Sequence, residues 1–127
     1  MPTIPEESPL YDTFEMVSIL NTELASSNLT AFSQLDNVNL DPCLVVTLSK
    51  AKIADDDQSF TRELDIIYHN TITTSSTWST DMHNHVDAIY DALKNIHNNS
   101  NIFRFTGWDI STGDNAITVS FSIETIA

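Results

Sequence analysis

The chain has 127 residues, of which 41% are hydrophobic, and 18 acids against 5 bases leave a net charge of −13. That length suits one domain and that apolar content suits one core, so composition alone excludes a disordered chain. Five scattered bases (Lys50, Lys52, Arg62, Lys94 and Arg104) weigh against a phosphate-backbone binder and against docking on an anionic membrane. So acidic a surface repels nucleic acid, which leaves two readings open: solubility alone, or a surface that stays near DNA without sticking to it.

Cys43 is the single cysteine, so no intramolecular disulfide can form. It follows Pro42 and opens an apolar run, and a buried, inert thiol is the favoured reading. Met1 to Pro9 carries two acids and lacks the basic and apolar regions of a signal peptide. No run reaches the roughly 18 apolar residues of a membrane span. Two matches to the glycosylation sequon, at Asn28 and Asn98, read as chance without a secretion signal.

Residues 1–7, with prolines at 2 and 5, read as a flexible arm, and 8–127 as a single α+β domain. Ser8-Pro9 has the form of a helix N-cap followed by proline at the first helical position. Leu10, Phe14, Val17, Leu20 and Leu24 then make one apolar stripe, on a helix expected to end near Ser26 or Ser27. Tyr11, Met16 and Ile19 widen that face. Residues 28–41 read as a connection with a helical turn around Leu29 to Leu35, ended by Asp41-Pro42.

Cys43 to Ile53 is expected to be a strand, apolar on both faces at Leu44-Val45-Val46. Asp55-Asp56-Asp57 marks a turn. After it, Phe60, Leu64, Ile66, Tyr68 and Ile72 alternate with polar residues, the clearest period of two in the chain, with Arg62 and Asn70 breaking the apolar face. Thr73 to Thr80 is a Ser/Thr loop containing Trp78. A second helix should start at Ser79 or Thr80, with Asp81 placed for the helix dipole and a stripe of Met82, Val86, Ile89, Leu93 and Ile96. Asn98-Asn99 ends it, since Asn tolerates a left-handed cap. Ile102 to Ile110 reads as a strand with Phe103 and Phe105 on one face and Trp108 on the other. A turn containing Gly113 follows, and then Ile117, Val119, Phe121 and Ile123 alternate in a last strand. The expected architecture is two helices packed on one face of a four-stranded, mostly antiparallel sheet, in the order α-β-β-α-β-β, with a polar second face.

Sites of chemistry are sparse. His83 and His85 fall on different helix faces. His83 and Asp87 have the four-residue spacing of a helical metal pair, for which a surface hydrogen bond or weak ion pair is the favoured reading. His69 sits on a polar strand face and His97 at a helix end, so no metal site and no cofactor is expected. The three aspartates lack the spaced ligands and glycine of a calcium loop, and a solvated hairpin tip is favoured. The two glycines, Gly107 and Gly113, give no phosphate-cradling loop, and no catalytic motif occurs. Trp78 is either a cap on the core or an exposed anchor for a partner. Trp108 sits beside Gly107, a potential bulge, and is expected in the core.

From about Leu10 to Thr125 the order of elements resembles the tail terminator (tail-completion) proteins of long-tailed phages and their relatives in the phage neck. The resemblance is carried by the helix Leu10 to Leu24, by Asp41-Pro42-Cys43-Leu44-Val45-Val46, and by Leu64-Asp65-Ile66-Ile67-Tyr68-His69. The helix Val86 to Leu93 and a closing strand ending in Ser122-Ile123-Glu124 complete it. Permuted ferredoxin-like modules share the same order. The resemblance implies a non-enzymatic, hexameric ring in the virion, assembled in the host cytoplasm. Such a ring caps the tail tube, stops its growth, meets the head connector and lets DNA pass through its centre. On that reading Asp55, Asp56, Asp57 and Trp78 are candidate interface or lumen residues. Two other readings stay open: a small acidic inhibitor, such as an immunity protein or DNA mimic, and an enzyme marked by a buried, pKa-shifted histidine or carboxylate in a pocket.

Overall fold

A computed structural model describes residues 11–27, 29–33, 43–53, 60–100, 103–113 and 115–126. Its elements run α1 (Tyr11–Glu23), β1 (Ala31–Ser33), β2 (Cys43–Ile53), β3 (Phe60–Thr71), α2 (Trp78–Asn99), β4 (Phe103–Thr112) and β5 (Ala116–Ile126). The arm at 1–7, the cap at Ser8-Pro9, Leu10, Asp41-Pro42 and the aspartates 55–57 lie outside the described residues. The α+β class is as expected, but the sheet has five strands, in the order β1-β2-β3-β5-β4.

The extra strand is β1, where a helical turn was expected. Leu29, Ala31 and Ser33 are buried while Thr30 is exposed and Phe32 half-buried, which is the period of a strand and not of a helix. β1 lies parallel to β2 and makes the sheet mixed. β2 and β3 form one antiparallel hairpin, β4 and β5 another. The two hairpins meet along an antiparallel seam from Thr61↔Ile126 to Thr71↔Ala116.

Both helices pack on one face of this sheet. Side chains stand in rows across the strands: Ala31, Leu44, Tyr68, Val119 and Ile110 make one row, and Val46, Ile66, Phe121 and Trp108 the next. All are buried up to β5, where the buried part of each row ends. Met16, Leu20 and Leu24 of α1 and its following turn, with Met82, Ile89, Leu93 and Ile96 of α2, close the core from above. Each such side chain contributes about 1.5–3 kcal/mol by leaving water. The helices are tied side by side where Asn95 Nδ2 donates to Glu23 Oε1 at 3.0 Å.

Several local expectations are corrected. The buried line on α1 is Thr13, Met16 and Leu20, continuing to Leu24, whereas Phe14 and Val17 are half-buried. Apolar residues surround most of this helix, and its packing against β1 and β2 selects the side that faces in. Helix α2 begins at Trp78, so that residue belongs to its first turn and not to a loop, with Asp81 in the same turn. Its far end closes through Ser100 in extended geometry, with the Ser100 N–H on Ile96 O, so Asn98 and Asn99 remain helical and no left-handed asparagine caps it. Cys43 is half-buried, on the face away from the helices. In β4 the register shifts between Phe105 and Gly107, a bulge at which Thr106 and Gly107 share one partner position. The extra residue returns Trp108 to the face of Phe105, although simple alternation places it opposite, and Trp108 is 54% exposed where the core was expected. Gly107 supplies the φ of +156° that the bulge requires.

Candidate functional site

Asn70 is the polar break in the apolar face of β3, and the structure explains it. Tyr68, two residues earlier, is fully buried, and its hydroxyl receives a hydrogen bond from Asn70 Nδ2 at 2.7 Å. The same hydroxyl lies 2.8 Å from His85 Nδ1 on α2. With Asn70 donating to this oxygen, the phenol and the His85 imidazole share a hydrogen bond that spans sheet and α2. Asn70 Oδ1 accepts from the Trp78 indole N–H at 3.1 Å, and Thr71 O accepts from the same N–H at 2.8 Å. Indole, carboxamide, phenol and imidazole form one relay between the end of β3 and the start of α2.

Trp78, Asp81 and His85 fall on one side of α2 by their spacing of three and four. With Asn70, Thr71, Thr73 and Ser75 they line a cavity of about 230 Å³ that opens to solvent. Burial holds the His85 pKa below its ordinary 6.5, against the opposing pull of the Asp81 carboxylate one turn away. Ser75 Oγ is engaged with Thr77 Oγ1 at 3.1 Å and accepts from the Thr77 N–H at 3.3 Å. The imidazole is thus held by the buried Tyr68 hydroxyl, an arrangement that joins helix to sheet. Two signals in the sequence point to it: Asn70 on an apolar strand face, and His85 beside the Met82–Val86–Ile89 stripe. The first interrupts an alternating apolar face and is legible as such, whereas the second sits at the margin of a stripe where spacing alone does not mark it.

The other sequence-derived candidates are dispersed. Trp78 is half-buried and spends its indole N–H inside the relay. His83 and Asp87 are both exposed, and the surface hydrogen bond expected between them does not occur among the described residues. His69 Nδ1 lies 3.1 Å from Thr118 Oγ1 on the second sheet face. His97 Nδ1 accepts the Phe105 N–H at 3.0 Å, outside β4. No group of three metal-ligating side chains occurs among the described residues. None of the described helices is long and apolar enough to cross a membrane.

The second sheet face is covered by neither helix. By alternation it carries Glu63, Asp65, Asp109 and Glu124 together with bases: in register Lys50 stands opposite Glu63, Lys52 opposite Thr61 and Arg104 opposite Glu124. Burial raises the Asp65 pKa above its ordinary 3.8, and the negative charge of Glu63 raises it further. Phe32, Val45 and Ile67, all half-buried, form a short apolar row at the β1 side of this face.

Beyond β5, on the helix side, an aromatic cluster reaches the surface. Tyr90 of α2 meets Phe105 and Trp108 edge-on at centroid distances of 5.9 and 5.5 Å, and Lys94 Nζ lies 5.8 Å from the Tyr90 ring centroid. Ile110, 62% exposed, continues this patch along β4. Compared with known proteins, the chain matches no protein-family model and no curated sequence.

Proposed function

We propose that this protein is a structural subunit of a long-tailed phage virion, a tail terminator ring that caps the tail tube and offers a joining surface to the head. The observation that carries the reading is the chain's net charge of −13, with an open sheet face on which Glu63, Asp65, Asp109 and Glu124 are registered among Lys50, Lys52 and Arg104. A ring that conducts DNA needs a lumen that repels phosphate, and a subunit of net charge −13 suits one. The order of the major elements and the exposed patch of Trp108 and Ile110 support it as well, because an assembly subunit needs apolar surface to bury against a neighbour. The subunit is non-catalytic: the shifted histidine of the pocket serves the relay.

The test is the mass of the purified protein in solution, together with negative-stain images of the protein alone and mixed with phage tail tubes. Six-fold rings, free or on tube ends, are the expected result. A monomer that ignores the tubes overturns the reading.

The same acidity and the small size favour one other reading, a soluble inhibitor that occupies a basic site on its target. That reading requires tight binding to one basic protein, weakening steeply with salt.

A further inference from the structure

The sheet has two outer strands, and the molecule treats them differently. At β1 the Asn21 carboxamide lies alongside Ala31 like one more peptide unit. The Ala31 N–H donates to Asn21 Oδ1 at 2.7 Å, and Asn21 Nδ2 donates to Ala31 O at 3.2 Å. The first half of β4 is capped too: the Phe103 N–H donates to Ser100 Oγ at 3.2 Å and the Phe105 N–H to His97 Nδ1 at 3.0 Å. Past the bulge, alternation turns the backbone groups of Trp108, Ile110 and Thr112 outward. Among the described residues no side chain caps them. This half-edge also carries the two most exposed large apolar side chains, Trp108 at 54% and Ile110 at 62%. A bare edge beside exposed apolar side chains is the surface on which another strand adds.

We propose that a second copy of the chain covers it, β4 against β4, antiparallel about a two-fold axis at Ile110. Charge selects the register, and the strand's complementarity to itself selects the occupant. Outward-facing residues must oppose one another, so the axis can pass through Ile110 or move in steps along the strand. With the axis at Ile110, each Trp108 faces a Thr112, and each Asp109 faces a Ser111 hydroxyl that can donate to it. Moving the axis one step toward the bulge sets Asp109 against Asp109, which like-charge repulsion disfavours. Moving it one step the other way leaves Trp108 without an opposite residue. The strand is therefore complementary to itself in one register. Asn21 closes β1, so a second copy cannot continue the sheet head to tail, and the contact is two-fold. It joins two five-stranded sheets edge to edge and covers Trp108, Ile110 and the flank of Tyr90.

This contact does not depend on the ring reading. It closes at two copies, whereas a ring grows through a head-to-tail contact on another surface. The experiment is size-exclusion chromatography with light scattering over a range of concentration and salt, on the full chain and on Ile110→Lys. Two chains of charge −13 repel, so the dimer should tighten as salt screens them, the reverse of binding to a basic partner. Ile110→Lys opposes two ammonium groups across the axis and should weaken dimerisation about tenfold or more, equivalent to about 1.4 kcal/mol. The exposed site leaves the unfolding of the monomer unchanged. Amide exchange should show protection of Trp108, Ile110 and Thr112 that rises with concentration. A monomer at every concentration, or association that Ile110→Lys leaves intact, overturns the contact. Six-fold rings that survive Ile110→Lys overturn it while sustaining the ring. A dimer lost in Ile110→Lys, with no rings under any condition, sustains the contact while overturning the ring.

Discussion

Tyr68 and Thr125 are both buried on the helix side of the sheet, and their hydroxyls have opposite fates. The Tyr68 hydroxyl links Asn70 to His85, so Tyr68→Phe leaves an imidazole nitrogen and a carboxamide without their partner. That change should cost about 1–3 kcal/mol in urea unfolding. The Thr125 hydroxyl, like that of Thr13, is buried with no hydrogen-bond partner among the described residues. Thr125→Val keeps the shape and removes the orphaned group, and should stabilise the protein by about 1 kcal/mol in the same assay. His85 adds a dependence on pH. Its folded pKa lies below 6.5, so the unfolded chain binds a proton where the folded chain does not. Its contribution is complete above pH 6.5 and is lost as pH falls through 6.5 toward the folded value. Unfolding free energy measured from neutral pH to mild acid should therefore fall less steeply for His85→Gln than for the parent chain. At this scale the sequence was half legible. Asn70 stood out because it interrupted an apolar face, whereas nothing in the spacing of His85 shows that a phenol waits beneath it.

At the scale of elements, the long periodic segments β2, β3, β5 and α2 followed from pattern because each has one face to bury. The misreadings come from places where pattern cannot choose. α1 is apolar around most of its circumference, and the sheet decides which side faces in. β1 is three residues long, with serine at one of its buried positions, too short for alternation to stand out from a loop. β4 was assigned as a strand, but counting by twos fails after a bulge, and Gly107 was its only signal. Gly107 tests this account directly. A methyl group there meets nothing within 4 Å, so Gly107→Ala carries no clash, and only the φ of +156° opposes it. It should destabilise by about 1–3 kcal/mol through backbone strain alone. Gly107→Ser should cost the same, measured by thermal unfolding of both variants.

For the molecule as a whole, charge was the most legible property and its placement the least. A net charge of −13 says that acids dominate, but not that four of them share the uncovered sheet face with Lys50, Lys52 and Arg104. Asp65 shows the consequence. Its folded pKa lies above 3.8, so the folded chain keeps a proton that the unfolded chain has already released. Stability therefore declines as pH rises from 3.8 through the folded value, and the deficit persists at neutral pH. Asp65→Asn should raise the melting temperature at neutral pH and leave it unchanged in acid, where both side chains are neutral. The gain should shrink with added salt, because part of it is repulsion from Glu63. That Asp65 costs stability fits a surface kept for a partner, as the proposed ring requires.

The seam between β3 and β5 carries a consequence of another kind. It joins two sequence-local halves, with α1, β1, β2 and β3 on one side and α2, β4 and β5 on the other. The chain passes between them only once, through an exposed stretch at residues 73–77. A break in the backbone at Ser75-Ser76 should therefore yield complementing fragments. Neither can bury its apolar face alone, yet mixing them restores the seam from Thr61↔Ile126 to Thr71↔Ala116. Both tryptophans, Trp78 and Trp108, reside in the second fragment. Titrating it with the tryptophan-free first fragment should shift the Trp78 emission as its indole regains Asn70 and the core. An emission that ignores the added fragment would mean that the covalent connection, and not the seam alone, is needed to bring the halves together.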